Sequence, residues 1–298
     1  EWNPPGHGDL YAAISTSGIL DQLLSAGYEY AFVSNSDNLG AVLDMSILGY
    51  FAEERLPFLM EVAYRTAADR KGGHLAQQAN GQLILRELAQ CPPNEVGDFQ
   101  NIERYPFFNT NNLWLHLPTL QRLLEERYGV LGLPLIRNEK PIDPTRPETP
   151  AIYQLETAMG SAIAVFEGAQ AMRVPRSRFV PVKTSGDLLV PMSDVYGLNK
   201  EFAIQLSHQR HAGPPRRPPL VELDASNYQR ISDMQLRFPY GAPSLLNCAR
   251  LTINGDIRFG RNVVLEGDVL LSSNGAGPVH IGDGECIIGE RQQILEHH

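Results

Sequence analysis

The sequence predicts an α/β chain that ends in a parallel β-helix. Three observations carry that reading. Near the front, Tyr28 to Ser34 is rich in aromatic and β-branched residues and empties into the polar run Asn35-Ser36-Asp37-Asn38, after which helical spacing resumes. Strand, polar loop and helix make half of a βαβ unit. Near the end, Leu251-Thr252-Ile253, Ile257-Arg258-Phe259, Val263-Val264-Leu265 and Val269-Leu270-Leu271 recur every six residues, with Gly255, Gly260 and Gly267 between them. A strict six-residue apolar period with turn residues marks a parallel β-helix; an ordinary antiparallel meander is the competing reading. Between these regions, His208 to Leu220 is rich in Pro and Arg and reads as a linker.

The elements follow in order. Asn3-Pro4-Pro5-Gly6-His7-Gly8-Asp9 fits neither the helix nor the strand period. It reads as a tight loop offering backbone N–H groups, an imidazole and a carboxylate to something small, or as a plain turn with a surface His. Leu10 to Ala26 has helical spacing and stops at Gly27. In open α/β sheets ligands sit beyond the carboxyl ends of strands, so Asn35 and Asp37 stand where binding groups belong. Either can also cap the helix expected over Leu39 to Phe51. Phe58 to Thr66 reads as a strand, with Gln82 to Leu88 as its partner, Lys71 to Gly81 as the hairpin between them and Glu87 near the strand end. Lys71-Gly72-Gly73 suits either that hairpin or a loop close to an anion.

Asn109, Thr110, Asn111 and Asn112 compress three amides and a hydroxyl between apolar segments. Neutral amides match the hydroxyls of a sugar; an Asx-rich turn explains the same residues. Pro118 to Arg127 reads as a helix, and Leu133 to Pro150, with Pro134, Pro141, Pro144, Pro147 and Pro150, as an exposed loop. Gln154 to Phe166 reads as a helix whose small residues permit close packing. Arg176, Arg178 and Lys183 precede Thr184-Ser185-Gly186-Asp187, where a capped helix running through Leu198 is expected. Lys183 stands one step outside that cap, a place that favours an anion, though a solvated surface charge is the ordinary use of such a lysine.

The 298 residues allow a large core, and 43% hydrophobic with 20% charged content is that of a globular protein. A net charge of −9 and the lack of a basic aromatic stripe argue against nucleic acid as a partner. No apolar run is long enough to span a bilayer and no signal segment opens the chain. Cys91, Cys248 and Cys286 form no CxxC, so reduced thiols and a cytoplasmic location are expected. Residues 295–298 read as a tag remnant.

In this company the motifs take on a resemblance. PPGHGD at Pro4 to Asp9, FVSNSDNLG at Phe32 to Gly40, KGG at Lys71 to Gly73, FNTNNLW at Phe108 to Trp114, QLETAMGSAI at Gln154 to Ile163 and VPRSRFVPVKTSGDLL at Val174 to Leu189 occur in that order. The chain resembles the UTP–glucose-1-phosphate uridylyltransferases, or UDP-glucose pyrophosphorylases, nearly end to end. The resemblance implies a Rossmann-like nucleotidyltransferase domain over 1–207, a linker over 208–224 and a left-handed parallel β-helix over 225–294. It implies UTP and glucose 1-phosphate as substrates, UDP-glucose and pyrophosphate as products, and Mg²⁺ as cofactor. By the same resemblance the Gly6 backbone would contact uracil, and His7 would lie near the phosphate and sugar. Asn35 and Asp37, with Ser36 between them, would hold the glucose phosphate, and Asp37 would also reach Mg²⁺. Asn111, with Asn109 and Glu87, would read sugar hydroxyls, and Lys183 would contact the reacting phosphates as the catalytic residue.

Two departures stand out. His74 replaces a small polar residue of many relatives. The glycine-rich nucleotide loop of the family lies upstream of PPGHGD, where this chain has almost nothing, so the isolated chain is expected to turn over poorly or not at all. Rival readings are a UDP-N-acetylhexosamine pyrophosphorylase, against which NTNNLW and the β-helix tail speak, and a non-catalytic sugar-nucleotide binder or assembly subunit. The open ends and strand edges of a β-helix would suit a homo-oligomer.

Overall fold

The computed structural model describes residues 4–66, 69–143, 146, 148–210, 217–273, 277–289 and 293–295. The chain divides into two compact units, Glu1–Ser36 with Ala41–Phe179, and Asp37–Gly40 with Val180–His298.

The first unit opens with α1 (Leu10–Thr16) and α2 (Ile19–Ser25). The single helix expected over Leu10 to Ala26 is broken at Gly18, whose φ of 75° ends the first segment and starts the second. Strand β1 (Tyr30–Val33) follows, then α3 (Met45–Glu53) and β2 (Phe58–Tyr64). Helix α3 begins six residues later than the spacing suggests. Its cap is Asp44, whose Oδ1 accepts from Ser46 N at 2.9 Å and Ile47 N at 3.4 Å. Then come β3 (His74–Gln77), β4 (Leu83–Arg86), α4 (Val96–Phe99), β5 (Phe107–His116) and α5 (Leu117–Glu126). Pro118 in the first turn and buried Leu117, Leu120 and Leu124 explain α5. The unit closes with β6 (Leu135–Pro141), β7 (Ala151–Thr157) and β8 (Gln170–Arg173).

The sheet runs β4-β3-β5-β2-β8, with β1 also on β5. Strands β1 and β2 both lie antiparallel to the second half of β5, on its two sides, and therefore parallel to each other. The β1–α3–β2 crossover is thus the expected half-unit with one strand inserted. Strand β8 joins β2 in parallel. The fold is mixed α/β.

Four strand and loop expectations for this unit are corrected. Gln82 to Leu88 pairs with His74–Gln77 rather than with Phe58 to Thr66. The hairpin is a tight turn in which Gly81 N donates to Gln78 O at 2.9 Å, so Lys71-Gly72-Gly73 lies outside it. Leu133 to Pro150 is not all loop: β6 pairs in full register with β7, and Pro141 is tolerated at the end of this two-stranded ribbon. Pro144 and Pro147 lie outside the described residues. Gln154 to Phe166 is not a helix. Its first part belongs to β7, and Met159–Ala164 forms a 3-10 turn, all buried up to Ile163.

His74 is fully buried, 4.3 Å from the ring of Tyr105 and 4.4 Å from that of Phe99. Burial, aided by Arg65 and Arg86, lowers its pKa to about 4. It is a neutral packing element here.

The second unit contains α6 (Ser185–Met192), β9 (Tyr196–Leu198), β10 (Ile204–Leu206), β11 (Leu220–Leu223), α7 (Ala225–Tyr228) and α8 (Ile231–Arg237). Helix α6 stops well short of Leu198, which lies in a β-hairpin with β10. Strands β12 (Cys248–Asn254), β13 (Ile257–Phe259), β14 (Val264–Ser273), β15 (Val279–Ile281), β16 (Cys286–Gly289) and β17 (Gln293–Leu295) complete it. Every pairing among β11 to β17 is parallel, which excludes the meander for these strands. Leu251 faces Val269, eighteen residues on, which is three of the six-residue periods. Leu251, Ile253, Ile257, Phe259, Leu265 and Leu271 fill the interior of the stack. Leu220, read as the end of the linker, starts β11; residues 211–216 of that stretch lie outside the described residues.

Candidate functional site

In the first unit, the Pro4-to-Asp9 loop is fastened to β7 and the 3-10 turn after it. Pro5 O accepts from Thr157 N at 2.9 Å and Pro4 O from Gln154 Nε2 at 2.8 Å. Gly6 has φ 84°, and a Cβ there would come within 2.6 Å of Thr157 O, so only glycine fits. Met159 N donates to His7 Nδ1 at 2.9 Å, and Tyr11 Oη donates to Met159 O at 2.8 Å. One residue, Met159, thus fixes the imidazole through its N–H while its carbonyl is held by Tyr11. Because Nδ1 accepts, the ring hydrogen sits on Nε2, and His7 is a neutral donor through that nitrogen.

The amides of β5 lie against the next residue of the turn. Gly160 leaves no room for a side chain beside the Asn109 amide. Asn109 N donates to Gly73 O at 3.2 Å. Asn109 Nδ2 donates to Asn111 Oδ1 at 2.6 Å, and Asn111 N to Asn109 Oδ1 at 2.8 Å. Asn111 has φ 59°, in a bulge of the β2–β5 ladder. The Glu87 carboxylate lies directly over Gly73, where any Cβ would overlap it. Burial pushes Glu87 up to about 7. With Leu85, Arg86, Gln90, Cys91, Pro92 and Glu95, it lines an open cavity of about 250 Å³. The structure therefore brings His7, Asn109, Asn111 and Glu87 into one neighbourhood, through Met159-Gly160 and Gly73.

Asn35 and Ser36 follow β1, half-buried and exposed respectively.

In the second unit, Asp37-Asn38-Leu39 runs antiparallel to Val180-Pro181-Val182. Leu39 N donates to Val180 O at 3.0 Å and Val182 N to Asp37 O at 2.9 Å, and Asn38 Oδ1 accepts from Val180 N at 2.8 Å. That pairing sets Lys183 beside Asp37, and Lys183 Nζ forms an ion pair with Asp37 Oδ2. Asp37 Oδ1 is buried without a hydrogen bond. The Lys183 backbone is held by the helix cap. Lys183 N and Thr184 N donate to Asp187 Oδ2 at 3.0 and 2.8 Å, and Asp187 N donates to Thr184 Oγ1 at 3.1 Å. This is a full capping box at the start of α6, a helix end that favours an anion.

The other two cations of the run have structural partners. Arg176 clasps Asp69 at 2.8 and 3.0 Å and lies over the Phe108 ring. Arg178 is buried against Glu61. Sequence reasoning missed Met159, Gly160 and Asp187. Their signal was present in the small residues after Gln154 and in the four-residue spacing from Lys183 to Asp187.

Comparisons with known proteins agree with these motifs. The model of the UTP–glucose-1-phosphate uridylyltransferase family matches residues 1–266. The UTP–glucose-1-phosphate uridylyltransferase of Encephalitozoon cuniculi is 42% identical over 298 residues, an alignment covering 99% of this chain and 58% of that protein. A UDP-glucose pyrophosphorylase variant from Leishmania major, solved in complex with UDP-glucose, superposes with a TM-score of 0.83 at 45% identity, over 99% of this chain and 63% of that one. A UDP-glucose phosphorylase from Trypanosoma brucei gives a TM-score of 0.84 at 43% identity, over 99% and 62%. The chain thus spans about three-fifths of the length of the relatives it matches.

Proposed function

We propose a function from one premise: the chain belongs to the UTP–glucose-1-phosphate uridylyltransferase family. On this reading the protein that carries it joins UTP and glucose 1-phosphate into UDP-glucose and releases pyrophosphate. The observation that carries the proposal is the shared neighbourhood of His7, Asn109, Asn111 and Glu87, a donor-and-acceptor set suited to a hexose phosphate.

A phosphate oxygen of glucose 1-phosphate attacks the α-phosphorus of UTP in line, and pyrophosphate leaves. The attacking oxygen is already an anion, so catalysis is alignment and relief of crowded negative charge. Gly6 offers its backbone to uracil, and the neutral His7 donates through Nε2 without adding charge. Asn109, Asn111 and Glu87 orient the sugar hydroxyls. Asn35, Ser36 and Asp37 receive the sugar phosphate. Lys183, held by its capping box, carries positive charge to the reacting phosphates and is the catalytic residue.

Mg²⁺ fits this residue set in one form only. Among the described residues no group of three or more His, Cys, Asp or Glu side chains could hold a metal ion, but Asp37 keeps one buried carboxylate oxygen without a partner. A single carboxylate shared with substrate phosphates is the usual protein share of a magnesium site. When bound there, the ion would neutralise phosphate charge.

The same proposal takes residues 1–207 as a Rossmann-like catalytic region and 225–294 as a left-handed β-helix, the latter supported by the eighteen-residue parallel spacing; β11 joins that stack in parallel, so the linker shrinks from 208–224 to 208–219. It places the enzyme in the cytoplasm, in keeping with three free thiols, and assigns any homo-oligomer contact to the strand stack. No helix among the described residues is long and apolar enough to cross a membrane.

Pyrophosphate release by the full-length protein tests the reading, with glucose 1-phosphate and N-acetylglucosamine 1-phosphate compared. Glucose 1-phosphate should be preferred, and Lys183→Ala should lower turnover by about 100-fold or more. Unchanged turnover in Lys183→Ala would sink the assignment.

A further inference from the structure

Beneath the amides of β5 lies a charge that the proposed chemistry does not use. Glu61 is fully buried in the middle of β2. Its carboxylate accepts four hydrogen bonds: from Arg178 Nε at 2.7 Å, an Arg178 Nη at 2.6 Å, Trp114 Nε1 at 3.0 Å and Asn112 Nδ2 at 3.0 Å. Its own carbonyl accepts from Thr110 Oγ1 at 2.8 Å, and Thr110 Oγ1 accepts in turn from Asn112 N at 3.3 Å. A buried ion pair is a poor source of stability compared with apolar packing, so its presence here asks for another reason.

The ladder supplies one. Between Met60 and Val62 the β2–β5 register shifts, so that Glu61 alone faces Thr110, Asn111 and Asn112. The bulge needs partners for backbone groups that the ladder no longer pairs. Side chains alternate along it. Thr110 and Asn112 are buried and bound to Glu61, while Asn109 and Asn111 turn the other way and bond to each other. The positive φ of Asn111 is the hinge between the two sets.

We infer that Glu61, clamped by Arg178, is a positioning residue for sugar recognition. It holds Thr110 and Asn112, these hold the bulge, and the bulge sets the pitch of the Asn109 and Asn111 amides. This rests on the proposed role of those amides.

The test is calorimetric binding of UDP-glucose and of UDP to the full-length protein carrying Glu61→Gln, Asn111→Ala or both. Glu61→Gln keeps the shape and removes the charge. UDP-glucose should bind about tenfold more weakly in each single variant, with UDP unchanged, and the double variant should lose no more than the weaker single variant. Thr110→Val breaks the same chain while sparing the ion pair and keeps the result readable if Glu61→Gln does not fold; it should show the same selective loss, at about threefold. If Asn111→Ala leaves UDP-glucose binding intact, the sugar-reading role of the amides is wrong. If Asn111→Ala weakens it but Glu61→Gln and Thr110→Val do not, weaken UDP equally, or add fully to Asn111→Ala, the positioning role is wrong.

Discussion

Two acid–base pairs, one in each unit, are built in opposite ways. In Glu61–Arg178 the side chains are 0% and 8% exposed. In Asp37–Lys183 they are 32% and 59% exposed. The first pair is saturated on every side, by Trp114, Asn112 and the carbonyl of Val42 as well as by its own partner. The second keeps one carboxylate oxygen without a hydrogen bond. A buried, fully bonded pair fixes a geometry because breaking it strands a charge away from water. A wet pair costs little to open, which suits groups that exchange each other for a phosphate or a cation. The contrast teaches that permanent positioning and reversible binding call for different burial of the same chemistry.

Removing the cation of the buried pair is the hardest way to break this comparison. Arg178→Met leaves the Glu61 carboxylate with two neutral donors and should cost about 3–5 kcal/mol of stability, read from urea unfolding. Converting both partners, as in Glu61→Leu with Arg178→Met, should recover much of that loss, because no fully buried charge remains and Asp44, 3.7 Å from Arg178, is partly exposed. A loss below about 1 kcal/mol in the single variant would mean that water reaches Glu61 and that the two pairs are alike.

How much of this could be read beforehand differs by kind of signal. The strand stack was legible because its six-residue period is local, and Leu251, Ile257, Leu265 and Leu271 all fall inside it. The cap at Thr184 and the Pro118 helix start were legible for the same reason. Gln154 to Phe166 misled because small apolar residues fit a helix, whereas the docking of Thr157 and Met159 onto the Pro5–His7 loop decides their conformation. The strand at Leu135–Pro141 was hidden by prolines that flank or end it. The motif residues His7, Asn109 and Asn111 were singled out, but the bulge that aims the amides depends on Glu61, far away in sequence and invisible to any local window. His74 stood out only as a departure from the family pattern, and it proves to be buried among Phe99, Tyr105 and Arg65.

Glu87 sharpens the contrast from within the first unit, since its perturbation comes from burial rather than from an ion-pair partner. Burial raises it to about 7, against 4.5 for a free glutamate. Below that pH it is neutral and can donate one hydrogen bond; above it, both oxygens accept. A sugar hydroxyl donating to the carboxylate stabilises the charged form, so binding releases a proton. UDP-glucose affinity should therefore fall as pH drops through about 7 and level off above it, by up to about tenfold per pH unit below the midpoint. Glu87→Gln cannot ionise and should flatten that profile, measured by calorimetry between pH 5.5 and 8.5. A slope that survives the substitution would assign the titration elsewhere.

The smallest expected effect is the stability of the wet pair. Asp37→Asn and Lys183→Met should each change unfolding free energy by less than about 1 kcal/mol, and a double-mutant cycle should return a coupling in the same range. Salt should erase most of it, because exposed charges are screened within about 10 Å at 0.1 M. The capping box makes this a clean measurement, since Asp187 holds the Lys183 backbone whatever its side chain does. Turnover should collapse in Lys183→Met under the same conditions in which stability does not move. A coupling of several kcal/mol would instead make Asp37–Lys183 a second structural clamp, and a residue locked in that way could not be the one that meets the phosphates.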